Sequence, residues 1–295
     1  MNKLPLQKRV LILSMLCEGS SMRSISRVAD VSINTVTKLL VDAGMACEDF
    51  HNRTVANVRV QNLQADEIWA FCMAKRRNVQ DMKKPSMDAG DVWTFTSMDR
   101  DSKLMISWYS GERDGRNART FLEDTAARIV GPTQVTTDGF PAYRELISEI
   151  FPLDASYGQI SKVFSTTPDK GPGRRYSPGV CVGATKDVIF GNADKVKIST
   201  SHIERQNLNI RMGLRRFTRL TNGFSKKLEN HAHALSLYFC FYNFVRIHKT
   251  LKMAPAIAAG ITDKLMSMDD IVALIDARDD APQNRGPYEK KAASQ

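Results

Sequence analysis

The chain has 295 residues, of which 42% are hydrophobic, and its length suggests about two domains. That apolar fraction is ordinary for a folded protein and argues against wholesale disorder. No apolar run approaches the roughly 20 residues needed to span a bilayer, and the N-terminus has no convincing signal-peptide cleavage site, so we expect a cytoplasmic protein. The five cysteines are far apart and form no CxxC or Cys/His pairing, which supports neither a disulfide framework nor a zinc site.

The positive charge is concentrated in one part of the chain. The formal net charge is +10, and residues 199–252 hold ten Lys and Arg against two Glu. These basic positions are spread along apolar, helix-like segments, which indicates a folded surface. A folded basic surface predicts an anionic partner, most simply nucleic acid.

The N-terminal segment predicts three short helices. Residues 5–17 carry apolar residues at helical spacing, and Ser21 can cap a second helix. Asp30 is placed at a turn that tolerates a left-handed backbone, and Ser32 can cap a third helix that Gly44 is expected to end. We expect five apolar residues to form the core between the last two helices: Ile25, Val28, Val31, Val36 and Leu39.

This spacing matches a helix-turn-helix, over residues 1–48. Its second helix would present Asn34, Thr35 and Lys38 to the major groove and to phosphates. The alternative is a plain helical hairpin used only for packing. The first 50 residues contain six basic and five acidic residues, so the segment is not strongly basic.

After a connector at 49–60, the pattern predicts a mixed α/β fold with helices packed on the sheet. Three strands come first, "LQADEIWAFCMA", "DVWTFTSMD" and "KLMISWYSG", and the last two are joined by a short polar loop. A helix "NARTFLEDTAARIV", a strand "TQVTT" and a helix "FPAYRELISEIF" follow. The stretch 165–179 is rich in Pro, Gly and basic residues and predicts a mobile loop.

The rest of the chain is predicted to be mainly helical. "VGATKDVIFG" is a further candidate strand, and helix is expected from about Ser201 to Asn243. A late helix over 267–277 begins with Ser267 and Asp270 placed as a capping box. The polar segment after it predicts a disordered tail.

Three carboxylates stand out, although each has an ordinary explanation. Asp66 interrupts an apolar strand, where an unpaired buried charge is costly, but it could be an edge acid facing solvent. Its neighbour Glu67 is expected on the opposite face of the strand. Asp138 follows the "TQVTT" strand and could be a turn residue before Gly139. Glu204 lies in a basic helix and could be a surface ion-pair partner.

Considered together, the three carboxylates suit one site. Ligands of open α/β sheets collect at the carboxyl ends of strands, where Asp66 and Asp138 would meet Glu204 from a later helix. Carboxylate oxygens are the ligands that hard divalent cations prefer. Two such cations can clamp the attacking and leaving oxygens of an in-line displacement at a phosphodiester. The sequence therefore predicts a metal site next to a basic surface.

On these residues the chain resembles the DDE-type transposases of bacterial insertion sequences, which have an RNase H-like catalytic fold. The matching segments are "ADEIWAF", "VTTDGFPAY", "SHIERQNLNIRMGLRRFTRLTNGFSKKLENH" and "FYNFVRIHKTLKMAPA". The resemblance extends from the helix-turn-helix to about residue 275. The cysteine zinc ribbon that some relatives carry at the N-terminus is missing here, so recognition of element ends would rest on the helix-turn-helix.

The resemblance implies that Asp66, Asp138 and Glu204 are the catalytic metal ligands, for two Mg²⁺ ions that Mn²⁺ can replace. It implies hydrolysis of a phosphodiester at the ends of an element and transfer of the freed 3′-OH into double-stranded target DNA. A homo-oligomer on DNA, associated with the bacterial nucleoid, would hold two ends. The residues expected to contact DNA are Asn34, Thr35, Lys38, Arg205, Arg211, Arg215, Arg216, Lys226 and Lys227.

The expected domains are a helix-turn-helix at 1–48, a linker at 49–60, an RNase H-like catalytic domain at 61–255, and a C-terminal helix with tail at 256–295. Two alternatives stay open at this stage. One is a helix-turn-helix regulator with a degenerate second domain, against which the three intact carboxylates argue. The other is a nuclease of the same fold that cuts DNA without joining it, because both reactions use the same metal ions.

Overall fold

The computed structural model describes residues 3–165, 181–218 and 222–279. Within these ranges the protein is a mixed α/β structure with a six-stranded sheet and flanking helices, as predicted. No helix in the described ranges is long and apolar enough to cross a membrane. The predicted loop at 165–179 and the predicted disordered tail fall almost entirely outside the described residues.

Ten α-helices lie in the described part of the chain: α1 Leu6–Cys17, α2 Met22–Val28, α3 Ile33–Thr54, α4 Arg76–Val79, α5 Gly115–Arg128, α6 Pro141–Ile150, α7 Ser201–Gly213, α8 Leu228–Cys240, α9 Pro255–Ala258 and α10 Met268–Asp279. Eight strands accompany them: β1 Val58–Arg59, β2 Asn62–Cys72, β3 Gly90–Asp99, β4 Met105–Gly111, β5 Ile129–Val130, β6 Gln134–Thr137, β7 Ser156–Phe164 and β8 Cys181–Phe190. A 3-10 turn follows α7 at Arg215–Phe217, and α8 continues into a π-helical turn at Phe241–Val245.

The N-terminal helices begin where the sequence predicts. The Ser21 hydroxyl accepts a hydrogen bond from the backbone N–H of Ser24 at 3.1 Å, and the Ser32 hydroxyl accepts one from Asn34 at 3.1 Å. Asp30 between them has a φ of +48°, the left-handed conformation expected of the turn. One predicted core residue is wrong: Val28 is 60% exposed, whereas Ile25, Val36 and Leu39 are buried.

The prediction that Gly44 ends the third helix is wrong, because α3 continues to Thr54. Gly44 instead lets α3 approach α8 closely. A Cβ atom at this position would lie 2.4 Å from the Cβ of His233 and 2.6 Å from its Cα. The predicted linker at 49–60 therefore contains the end of α3 and also β1, which pairs in parallel with β5. The domain boundaries themselves stay a prediction.

The six-stranded sheet has the order β4-β3-β2-β6-β7-β8. Strands β2, β3 and β4 form the predicted antiparallel meander. The central pairs β2–β6 and β6–β7 are parallel, and β8 returns antiparallel to β7. Strand β7 was not predicted from the sequence, because its outer half is polar and half-exposed and shows no clear alternation.

The packing joins the N-terminal helices to the rest of the chain through one continuous apolar core. Helix α3 packs along α8, α5 packs on β4 and α6, and α7 packs on β2. The late helix α10 packs on α1 and α3, where Arg9 donates to both carboxylate oxygens of Asp276 at 2.7 and 3.0 Å. The predicted capping box is confirmed: Asp270 accepts from the Ser267 backbone N–H at 2.7 Å, and the Ser267 hydroxyl accepts from Asp270 N–H at 3.2 Å.

Candidate metal centre at the carboxyl ends of β2 and β6

Two parallel strands bring the predicted aspartates together. Strands β2 and β6 are neighbours, with Gln64 paired to Thr136, so the residue after β6 lies beside Asp66. Carboxylate oxygens of Asp66, Glu67 and Asp138 all lie within 4.8 Å of one another. The carboxyl ends of parallel strands meet at one edge of a sheet, where the polar groups that follow them converge. The meeting of Asp66 with Asp138 follows from this register.

Glu67 belongs to the same cluster as Asp66 and Asp138. The prediction that its side chain lies apart from Asp66, on the opposite face of the strand, is therefore wrong. Successive side chains do leave a strand on opposite faces. The pairing of β2 with β6, however, ends at Gln64, and the next pairing found on that side of β2 is the bridge between Cys72 and Ser225. Between these two pairings the longer Glu67 side chain reaches the same end of the sheet as Asp66. Its side chain is only 2% exposed.

The turn after β6 is held by Asp138 itself. Its Oδ1 accepts a hydrogen bond from the backbone N–H of Phe140 at 3.0 Å, and its backbone carbonyl accepts one from the Gln159 amide at 2.9 Å. Gly139 does not have a positive φ, so the sharp turn does not depend on glycine at this position, contrary to the sequence-based expectation. The second oxygen, Oδ2, is left for other partners, and the side chain is 38% exposed.

Arg113 is the cation of this cluster. Its guanidinium lies 2.9 Å from Glu67 Oε2 and 3.8 Å from Asp138 Oδ2. The same group lies over the Phe140 ring at 4.3 Å and the Trp93 ring at 5.1 Å from their centroids. Because both the ion pairs and the rings hold the guanidinium, Arg113 has a defined orientation beside the carboxylates.

Burial and mutual repulsion raise the pKa values of two carboxyls. The pKa of Asp66 is raised to about 7, first by desolvation and then by the charges of Asp138, Glu67 and Glu204, against a hydrogen bond from the Glu67 backbone N–H at 2.9 Å. Burial and Asp138 also raise the pKa of Glu67, while the Tyr143 hydroxyl and Arg113 lower it. The protein therefore keeps these carboxyls close together at an electrostatic cost.

Glu204 reaches this edge of the sheet from α7. The backbone N–H of Ile203 donates to the buried Gln64 side chain of β2 at 3.0 Å, which fixes the first turn of α7 on the strand that carries Asp66. The Glu204 carboxylate is 41% exposed, and it accepts hydrogen bonds from Lys162 of β7 and from Thr200. It lies outside the cluster of three, although its charge acts on Asp66.

Asn207, one turn after Glu204, makes the direct contact between α7 and the cluster. Its side-chain amide donates to Asp66 Oδ2 at 2.9 Å, and the residue is only 7% exposed. Its own oxygen, Oδ1, is buried and has no hydrogen-bond partner among the described residues. Glu67 Oε1 likewise makes no hydrogen bond of good geometry there, although the Tyr143 hydroxyl is close enough to lower the pKa of Glu67.

The donor set fits a hard divalent cation. Carboxylate and amide oxygens surround the cluster, and such ligands suit Mg²⁺. Four carboxylates, those of Asp66, Glu67, Asp138 and Glu204, face two cations, Arg113 and Lys162, so the site has negative charge to spare. The Oδ1 atom of Asn207, which has no hydrogen-bond partner among the described residues, is a further candidate ligand atom for a cation. Asp66, Glu67 and Asp138 are the residues placed to hold such an ion.

The residues predicted to contact DNA fall into three places. Asn34 and Lys38 are exposed at the start of α3, and Lys38 pairs with Asp42 at 2.7 Å. Thr35 beside them is half-buried. On α7, Arg205 is exposed and Arg211 is half-buried. The remaining four lie between α7 and α8: Arg215, Arg216, Lys226 and Lys227.

Sequence reasoning missed the supporting residues of the site. Arg113 lies just after β4 in "GERDG", and Asn207 and Lys162 are polar residues whose partners are distant in sequence. Asn207 stands one helical turn after Glu204, and this spacing was the signal available for it. Arg113 and Lys162 had no comparable local signal.

Comparison of the sequence with protein-family models and with curated proteins gave no match. Among solved structures, the piggyBac transposase synaptic complex with hairpin DNA covers 94% of this chain and 72% of its own, at 9% identity and a TM-score of 0.38. The Mos1 strand transfer complex covers 81% and 79%, at 12% identity and a TM-score of 0.22. A pre-cleavage Mos1 transpososome covers 53% and 60%, at 12% identity and a TM-score of 0.20. Similarities at this level do not establish a shared fold or function.

Proposed function

We propose that the protein is a DDE-type transposase of a bacterial insertion sequence, acting on DNA in the cytoplasm. It binds the ends of its element as a homo-oligomer, hydrolyses a phosphodiester with Mg²⁺, and transfers the freed 3′-OH into target DNA. The observation that carries this proposal is the convergence of Asp66, Glu67 and Asp138 where the parallel pairing of β2 with β6 ends.

In this proposal Asp66, Asp138 and Glu204 hold two divalent cations, for which Mn²⁺ can substitute. When bound, the cations stabilise the attacking and leaving oxygens of an in-line displacement at phosphorus. Asn207 orients Asp66 through its amide, and Arg113 holds Asp138 beside Glu67. These supporting contacts place the carboxylates before the ion arrives, which lowers the reorganisation needed for binding.

Glu204 changes partner in this scheme. In the structure its carboxylate accepts hydrogen bonds from Lys162 and Thr200. Its helix is already fixed on β2, so only its side chain has to turn toward Asp66.

Two features of the fold support the rest of the proposal. A mixed sheet with parallel central strands and acidic residues at their carboxyl ends is the arrangement expected of an RNase H-like catalytic domain. The capped helices α2 and α3, joined by a turn with Asp30 in the left-handed conformation, have the form of a helix-turn-helix that would present Asn34, Thr35 and Lys38 to DNA.

The test is a strand-transfer assay. Labelled DNA carrying the element ends is incubated with the protein and a target plasmid, with Mg²⁺, Mn²⁺ or EDTA. We expect metal-dependent nicking and joining by the wild type and by Asp263→Asn, a matched charge change at an exposed residue, and neither reaction by Asp138→Asn. Nicking without joining would indicate a nuclease, and DNA binding without nicking would indicate a helix-turn-helix regulator.

A further inference from the structure

A cleft of about 950 Å³ lies between the N-terminal helices and the segment that precedes α8. One wall contains the first residues of α2 and α3, including Arg23 and Asn34. The other contains the 3-10 turn after α7 and the start of α8. This volume is within the usual range of ligand-binding pockets. The cleft is separate from the carboxylate cluster, none of whose residues lines it.

Among the described residues, the charged side chains that line the cleft are all basic. Five of the described lining residues are Lys or Arg, and none of them is Asp or Glu. The five are Arg23, Arg215, Arg216, Lys226 and Lys227. The ion pairs found in the described ranges use other basic residues. A concave surface of one charge sign with low-dielectric walls concentrates ions of the opposite sign.

Arg216 is the unusual member of this set, because it is largely buried. Desolvation lowers its pKa to about 10, so it remains a cation at neutral pH. Among the described residues, the titratable groups that interact electrostatically with Arg216 are the Cys72 thiol and the His231 ring. Burial and the charge of Asp88 raise the pKa of Cys72 to about 11, so this thiol is neutral. A buried charge without a counter-ion is costly and is retained where a ligand supplies the opposite charge.

The guanidinium of Arg216 is held in place by neutral groups on both sides of the cleft. One nitrogen donates to the Ser225 hydroxyl at 2.9 Å, and another lies 3.6 Å from the sulfur of Met22 at the start of α2. The Ser225 hydroxyl is 3.0 Å from Nδ1 of His231. Burial lowers the pKa of His231 to about 3, so its ring is neutral, and the Ser225 oxygen that contacts it accepts a hydrogen bond from Arg216.

The segment that lines one wall of the cleft is also hydrogen-bonded to the end of β2. Ser225 forms a parallel bridge with Cys72 at the end of β2, and its carbonyl accepts from the Met73 N–H at 2.8 Å. The segment that positions Arg216 is therefore bonded to the strand that carries Asp66. An anion bound between Arg216 and the starts of α2 and α3 would be fixed relative to both the N-terminal helices and the carboxylate cluster.

We propose that this cleft binds a backbone phosphate of DNA, with Arg216 as the buried anchor and Arg23, Arg215, Lys226 and Lys227 as the surrounding cations. This inference rests on the proposed function, because it takes the bound DNA to be the substrate of the carboxylate cluster. It adds one role to that function: the cleft clamps a DNA strand between the N-terminal helices and the segment before α8. Phosphate contacts of this kind set register without reading sequence.

The experiment measures binding of a labelled DNA duplex in EDTA by fluorescence anisotropy, over a series of salt concentrations. Three variants are compared with the wild type: Arg216→Met, the rim double variant Lys226→Gln with Lys227→Gln, and Arg59→Met as a control of equal charge at an exposed residue of β1. We expect about tenfold weaker binding by Arg216→Met and a salt slope reduced by about one. The double variant Lys226→Gln with Lys227→Gln should reduce the salt slope by about two, and Arg59→Met should bind DNA as the wild type does.

Thermal melting of the free protein separates binding from structure. Because Arg216 has no carboxylate partner, Arg216→Met should melt at or above the wild-type temperature. Wild-type salt slopes in both cleft variants would overturn the inference. A second result would also overturn it: inorganic phosphate raises the melting temperature of the wild type alone, while the variants bind DNA as tightly as the wild type. That result would indicate a site for free anions. Binding in EDTA does not depend on catalysis, so failure of the strand-transfer assay would refute the proposed function without deciding this one.

Discussion

The contact between α3 and α8 predicts that replacing Gly44 by Ala has the opposite effect to the usual one in a helix. In the middle of an exposed helix, replacing Gly by Ala stabilises the helix by roughly 1 kcal/mol, because Ala has the higher helix propensity. At Gly44, however, an added Cβ would lie 2.4 Å from the Cβ of His233, 2.6 Å from its Cα and 2.8 Å from its carbonyl oxygen. Two of these three atoms belong to the α8 backbone, so no side-chain rotation removes the overlap.

We therefore expect Gly44→Ala to destabilise the protein. Overpacking in a well-packed interior typically costs about 1–3 kcal/mol, which exceeds the propensity gain by up to about 2 kcal/mol at this site. The contact continues one turn later, where the Cys47 thiol of α3 hydrogen-bonds Cys240 of α8, so separation of the helices at Gly44 would also loosen that pair. The assay is urea unfolding followed by circular dichroism, with the midpoint and slope compared between variants.

Gly115→Ala is the matched control. Gly115 is the first residue of α5, and a Cβ there would have no atom within 4 Å. This variant should be as stable as the wild type or more stable, by up to about 1 kcal/mol. If Gly44→Ala proved as stable as Gly115→Ala with an unchanged spectrum, the close approach of α3 and α8 at Gly44 would be refuted.

Three further predictions concern the caps, the buried histidine and the site. Ser267→Ala removes the capping hydroxyl of α10 and should cost about 1 kcal/mol in urea unfolding, and the reasoning fails if the midpoint is unchanged. Burial lowers the pKa of His51 from 6.5 to about 3, so the unfolded state binds the extra proton and stability should fall as the pH drops below 6.5, by about 2 kcal/mol at pH 5 from this group. His51→Gln should be less sensitive to acid over that range, and equal pH slopes for both proteins would contradict this account. Asn207→Ala removes the hydrogen bond to Asp66 and should raise the Mg²⁺ concentration for half-maximal cleavage about tenfold, with DNA binding in EDTA unchanged; an unchanged Mg²⁺ requirement would exclude an orienting role.

The carboxylate cluster also relates stability to function. Asp66, Glu67 and Asp138 are held close enough to repel one another, and burial together with this repulsion raises the pKa of Asp66 to about 7. Such an arrangement is unfavourable in the folded protein without a cation, yet Arg113 and Asn207 hold it in place. Perturbed carboxyls with dedicated supporting contacts are typical of sites selected for chemistry and not for stability.

Local patterns were sufficient for much of the fold. The caps at Ser21, Ser32 and Ser267 depend on side chains within three residues of the groups they bond, so the sequence could predict them. The meander of β2, β3 and β4 follows from three apolar runs, the last two of which are joined by a short loop. The meeting of Asp66 with Asp138 could be inferred because both follow from one rule about the ends of parallel strands.

The tertiary structure alone decided the remaining features, because they depend on groups far apart in the chain. Gly44 looked like a helix end, yet the approach of α8 makes it a packing residue. Glu67 was expected on the other face of β2. Because β6 ends at Thr137, the Glu67 side chain instead lies beside Asp66. Arg216 looked like one more surface cation, and only the packing of Met22, Cys72 and Ser225 around it makes it a buried charge in a basic cleft. Propensity and spacing act over a few residues, whereas burial and charge balance are set by which distant segments pack together.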